Sequence, residues 1–143
     1  MKKSVIVITL ALILAIAAAC GSKNGGSGSV PTGKVIKTAA VGNLTATLSS
    51  STGQLKQGDQ EVTLSFTDAS GKPVDVGAVS LNFHMPQMGG MAAMNDAVTF
   101  TTTSTPGVYS GKVNLGSGGE WQAQLAFEGP AGNGKTTFSV TAQ

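Results

Sequence analysis

The chain has 143 residues, room for one domain and its leader. Nine lysines, no arginine and seven acids give a formal net charge of +2. Lys2 and Lys3 belong to the leader, so the remainder is balanced and offers no basic stripe for nucleic acid or an anionic membrane surface. A single cysteine excludes an internal disulfide.

In chain order, Lys2 and Lys3 precede an apolar run, VIVITLALILAIAAA (Val5 to Ala19), whose small final residues suit a signal peptidase. It is too short for a spanning helix, which needs about 20 apolar residues. Residues 1–19 therefore read as a signal peptide. The AAAC that closes it resembles the lipobox of bacterial lipoproteins, although Ala17 stands where leucine is usual. That resemblance implies that the Cys20 thiol receives a diacylglycerol and becomes the new N-terminus. The alternative is an ordinary secretory signal with a cysteine nearby. The tract GSKNGGSGSVPTG that follows cannot pack and reads as a flexible tether. Residues 20–34 are thus the lipidated cysteine and linker, and residues 35–143 the folded domain. The protein is expected in the cell envelope, membrane-anchored through Cys20 and facing the periplasm or the exterior.

Beyond the linker the pattern alternates with period two. LTATLSS (44–50), EVTLSFT (61–67), AVSLNFHM (78–85), AVTFTTT (97–103), VYSGKVNL (108–115), EWQAQLAFE (120–128) and KTTFSVTA (135–142) are rich in Val and Thr and lack helical spacing. Turn signals such as DASGKPVD, STPG and GPAGNG separate them. About seven short strands, apolar on one face, predict an all-β, immunoglobulin-like antiparallel sandwich, with a small barrel as the alternative. Trp121 shares its face with Ala123, Leu125 and Phe127 and is expected in the core. Tyr109 is expected at a sandwich corner, its hydroxyl bonded to backbone.

One segment does not read as scaffold. NFHMPQMGGMAAMND (82–96) holds every methionine except Met1, and the only histidine. If Leu81, Phe83 and Met85 point inward, Asn82 and His84 point outward. Pro86 ends the strand because it has no N–H for the ladder. Gly89 and Gly90 free the chain to turn, which predicts a surface loop with one helical turn near MAAMND. Methionine on a surface loop lacks a packing reward and is open to oxidation. A compensating role is copper binding: thioether sulfur is a soft, neutral ligand suited to Cu(I), and one imidazole with two or three thioethers completes a trigonal or tetrahedral set. Zinc would ask for several His, Cys or carboxylate ligands, which the segment lacks. The candidate ligands are His84, Met85, Met88, Met91 and Met94. The competing readings are an adaptable hydrophobic contact for a protein partner and plain packing, above all for Met85.

The MP-x-M element (Met85, Pro86, Met88), the G-x-Y strand (Gly107, Tyr109) and the G-x-W strand (Gly119, Trp121) occur in that order. Together, over roughly Gly53 to Gln143, they resemble the YtkA-like domain, also found in FixH-type proteins and beside copper or heavy-metal efflux adaptors. The resemblance implies an immunoglobulin-like sandwich in the cell envelope with a role in copper handling, and His84, Met85, Met88 and Met91 as metal candidates. Met94 lies outside the shared element and is included on local grounds. Many members place a second histidine soon after MP-x-M, where this chain has Gly89, Gly90 and Met91. That departure shifts the expected cargo toward Cu(I).

No nucleophile elbow, paired-carboxylate motif or free catalytic cysteine is found, so the reading is not an enzyme. It is an envelope lipoprotein that binds copper for buffering, delivery or efflux, with a copper-efflux or oxidase-assembly protein as partner. The alternative is a metal-free adaptor whose methionine loop docks onto an envelope protein.

Overall fold

The computed structural model describes residues 33–143. The signal peptide and Cys20 lie outside these residues, as does nearly all of the linker. The described chain forms nine strands: β1 (Lys34–Val41), β2 (Leu44–Ser50), β3 (Gly58–Thr67), β4 (Ala78–Met85), β5 (Met94–Ala97), β6 (Thr99–Thr102), β7 (Val108–Leu115), β8 (Gly119–Gly129) and β9 (Gly132–Ala142). Two antiparallel sheets result, ordered β1-β2-β3-β7-β6 and β5-β4-β8-β9. Leaving β1 aside, β2-β3-β7-β6 facing β5-β4-β8-β9 is the strand order of the immunoglobulin sandwich, with an added fourth strand on the smaller sheet. The sandwich is realised and the barrel is not.

Alternation explains why these segments are strands. On β8, Trp121, Ala123, Leu125 and Phe127 are buried while Glu120, Gln122 and Gln124 are exposed. Facing them across the sandwich are Leu48, Val62, Leu64, Phe66 and Leu115. Full burial of side chains of this size stabilises by about 1.5–3 kcal/mol each. Trp121 is 0% exposed and its indole N–H donates to the Ser117 carbonyl at 3.1 Å, so the ring is core and its one polar atom is satisfied.

Tyr109 is buried against Phe66, with ring centroids 6.0 Å apart in an edge arrangement. Its hydroxyl lies 3.1 Å from Asp75 Oδ1 and 3.2 Å from the Gly77 carbonyl oxygen. The expected backbone partner is present, and a carboxylate joins it. Gly107, two residues earlier, takes φ +81°, and a Cβ there would stand 2.5 Å from the Val74 carbonyl oxygen. Glycine is therefore required at that position twice over, by conformation and by space.

Three local expectations are corrected. β1 was not among the expected strands, because only Val41 of it is buried and its alternation is blurred by a register shift between Val35 and Lys37. AVTFTTT is not one strand: Ala97 ends β5 in one sheet, Val98 donates to the Leu81 carbonyl, and β6 pairs with β7 in the other sheet. Asp96, Val98 and Phe100 stay half-buried through this switch, so the period of two continues across it and conceals it. The third correction concerns MAAMND, which has no helical turn. Met94–Ala97 is strand, paired to β4.

Candidate metal site

The methionine segment is a β-hairpin. β4 pairs with β5 through Asn82↔Ala97, Phe83↔Asp96, His84↔Asn95 and Met85↔Met94. Further out, Met88 pairs with Met91 in the same register, exchanging Met91 N–H to Met88 O at 2.9 Å and Met88 N–H to Met91 O at 3.3 Å. Gly89 and Gly90 are the two turn residues between them, and Gly89 takes φ +54°. A positive φ at the first turn position is what two-residue hairpins use to match the strand twist. Pro86 interrupts the ladder between the two paired stretches because it offers no N–H.

This register divides the methionines into two pairs. Met85 and Met94 lie opposite each other on the core face, Met85 only 4% exposed and Met94 half-buried. They reach toward the turn between β7 and β8. A Cβ on Gly119 would stand 3.3 Å from the Met85 methyl, and one on Gly116 would stand 3.5 Å from the Met94 sulfur. Glycine at these places leaves room for the two side chains. The Gly116 N–H donates to Asp96 Oδ2 at 2.9 Å, which fastens β5 to the same turn.

Met88 and Met91 face solvent at the tip, 57% and 51% exposed. Directly paired residues of a hairpin project on one side with their Cβ atoms about 4.5–5.5 Å apart, so the two side chains start from neighbouring positions. The alternation that turns His84 and Asn95 outward assigns Met88 and Met91 to the same side. His84 stands four residues before Met88, beyond the end of β4 at Met85 and at most about 13 Å away along the chain. Of the five candidate ligands, the fold thus brings Met88 and Met91 together and puts His84 on their side, while Met85 and Met94 form a separate, inward pair.

His84 is half-exposed, and its Nδ1 lies 2.8 Å from Oδ1 of Asn95. Asn82 Nδ2 donates to the same oxygen at 3.4 Å. In the register of β4, β8 and β9, Asn95, His84, Gln122 and Ser139 make one row across the outer face, and Asn82, Gln124 and Thr137 make the next. These rows are neutral and polar. Asn95 was missed by the sequence reading, although a turn at Gly89–Gly90 fixes its place opposite His84. Among the described residues no three His, Cys, Asp or Glu side chains cluster as a metal site. The tip provides thioether and imidazole donors, a set of a different chemistry, and its neutrality fits a soft monovalent cation.

The MP-x-M, G-x-Y and G-x-W elements now have separate places. Gly107 and Tyr109 build the Val74–Gly77 corner, Gly119 and Trp121 build the β7–β8 turn and the core, and only MP-x-M reaches the exposed tip. No curated protein and no solved structure matches this chain. The family model described as YtkA-like matches residues 38–126, more than half of the chain and inclusive of all three elements, and the chain belongs to the YtkA-like family.

Proposed function

We propose that this protein is an envelope lipoprotein that takes up Cu(I) at the tip of its β4–β5 hairpin, through the Met88 and Met91 thioethers and the His84 imidazole. The observation that carries the reading is the cross-strand pairing of two solvent-facing methionines on the hairpin side that also holds the only histidine. Exposed thioethers at a surface turn serve no packing purpose, and a soft monovalent cation gives them one. Residues 86–87 and 92–93 carry no ladder pairing, and binding by all three ligands requires the tip to bend there to bring its thioethers to His84. Met85 and Met94 support the hairpin from the core side. Cu(I) is cargo here, to be buffered or passed to an efflux or oxidase-assembly system, and the sandwich folds without it. The anchor is the diacylglycerol on Cys20.

The test is a Cu(I) titration of the full-length protein against a competing chelator. About one Cu(I) per chain is expected, and the double substitution Met88→Leu, Met91→Leu should abolish uptake with the fold intact. Equal affinity in the double variant would contradict the assignment. The same pair of exposed methionines also favours a second reading, a metal-free adaptor tip. That reading requires membrane partners to be captured equally well with and without a copper chelator and by the leucine variant.

A further inference from the structure

His84 and Asn95 are direct cross-strand partners, and Nδ1 of the ring lies 2.8 Å from the amide oxygen. An amide oxygen only accepts, so with this end of Asn95 facing the ring the contact calls for a proton on Nδ1. The Asn82 amide N–H is directed at the same oxygen, at 3.4 Å, and agrees with the oxygen end of Asn95 facing the ring. Nε2 then keeps its lone pair. A free histidine side chain prefers the opposite tautomer, with the proton on Nε2 and no lone pair there for a metal.

We infer that Asn95 is a positioning residue for the copper site: it holds the His84 ring as the Nδ1–H tautomer, so that Nε2 is permanently ready to bind Cu(I). The inference rests on the copper reading above. Metal-binding histidines generally donate their second ring N–H to a fixed acceptor, which sets ring orientation and basicity. In this chain the acceptor is a neutral amide. A carboxylate there would add a negative charge to the set and favour harder, more highly charged ions, whereas the amide leaves a neutral site matched to Cu(I). Because Asn82, His84 and Asn95 sit on adjacent paired strands, the backbone ladder itself holds the relay in place.

The single histidine makes a direct test practical. Ring nitrogen signals of the full-length, detergent-solubilised, nitrogen-15-labelled protein are recorded without copper at mildly alkaline pH. Cu(I) affinity is then measured on the same samples. The unsubstituted protein should show a protonated Nδ1 and a lone-pair Nε2. Asn95→Ala should reverse the pattern and weaken Cu(I) binding by about 10–100-fold. Asn95→Asp, whose carboxylate also only accepts, should restore the first pattern and most of the affinity. A protonated Nε2 in the unsubstituted protein would overturn the inference, and so would an unchanged affinity in Asn95→Ala. If the unsubstituted protein bound no Cu(I), the copper reading would fall and this role with it. The copper-free spectrum separates that failure from a failure of the Asn95 lock.

Discussion

Met85, Met88, Met91 and Met94 are evenly spaced, yet two are inward and two are exposed. Spacing of three places successive methionines on opposite faces of a strand, and folding about Gly89–Gly90 pairs the first with the last and the second with the third. Met85→Leu conserves volume in the core and should cost less than about 1.5 kcal/mol. In urea denaturation and copper competition it should behave as a mild stability variant with unchanged Cu(I) uptake, in contrast to the tip substitutions.

Tyr109 carries an independent residue-scale expectation. Burial first, and then the Asp75 carboxylate beside its hydroxyl, raise its pKa above the ordinary 10.0. The folded state therefore holds this proton more tightly than the unfolded chain. The stabilisation is fully present below about pH 10 and is lost as pH rises through the folded pKa. Tyr109→Phe should cost about 0.5–1.5 kcal/mol at neutral pH through the lost hydrogen bond, and should flatten the alkaline fall in stability. Since Tyr109 is the only tyrosine, tyrosinate absorbance during an alkaline titration reads its ionisation alone.

At the scale of the element, the β4–β5 hairpin joins scaffold to site. Gly89 has open space around it, so its constraint is φ +54° alone. Gly89→Val should cost about 1–2 kcal/mol, weaken the tip and lower Cu(I) affinity, whereas Gly89→Asn, whose side chain tolerates this conformation, should preserve both. Gly107→Ala should be more damaging than Gly89→Ala, because at Gly107 a Cβ also collides with the Val74 carbonyl. Thermal unfolding of the two alanine variants ranks them. This hairpin was only partly legible in the sequence. Alternation gave the inward Met85 and outward His84, and Pro86 marked the end of β4. Two adjacent glycines between alternating segments are a strong hairpin signal, and centring the turn on them yields His84↔Asn95 and Met88↔Met91 directly. Reading them only as chain flexibility produced the helical turn that the fold lacks.

For the whole molecule, the sandwich was legible because segments such as β4, β7 and β8 alternate over a buried face. β1 was not, since its pairing with β2 rests on backbone rather than on buried side chains, and the sheet switch at Val98 was hidden by unbroken periodicity. The core cluster unites both sheets through Trp121, Phe66, Phe83 and Leu125, with no contribution from Met88, Met91 or His84. Chelation should therefore leave the domain folded with its Tm unchanged from the copper-free state. Saturating Cu(I) should raise stability by mass action, about 2.7 kcal/mol at one hundred times the dissociation constant. The central claim is that copper sits among thioethers and one imidazole at the tip. X-ray absorption at the copper edge of the Cu(I)-loaded protein reads those ligand atoms directly: the account expects two sulfur neighbours and one nitrogen, and a shell of nitrogen and oxygen alone would contradict it.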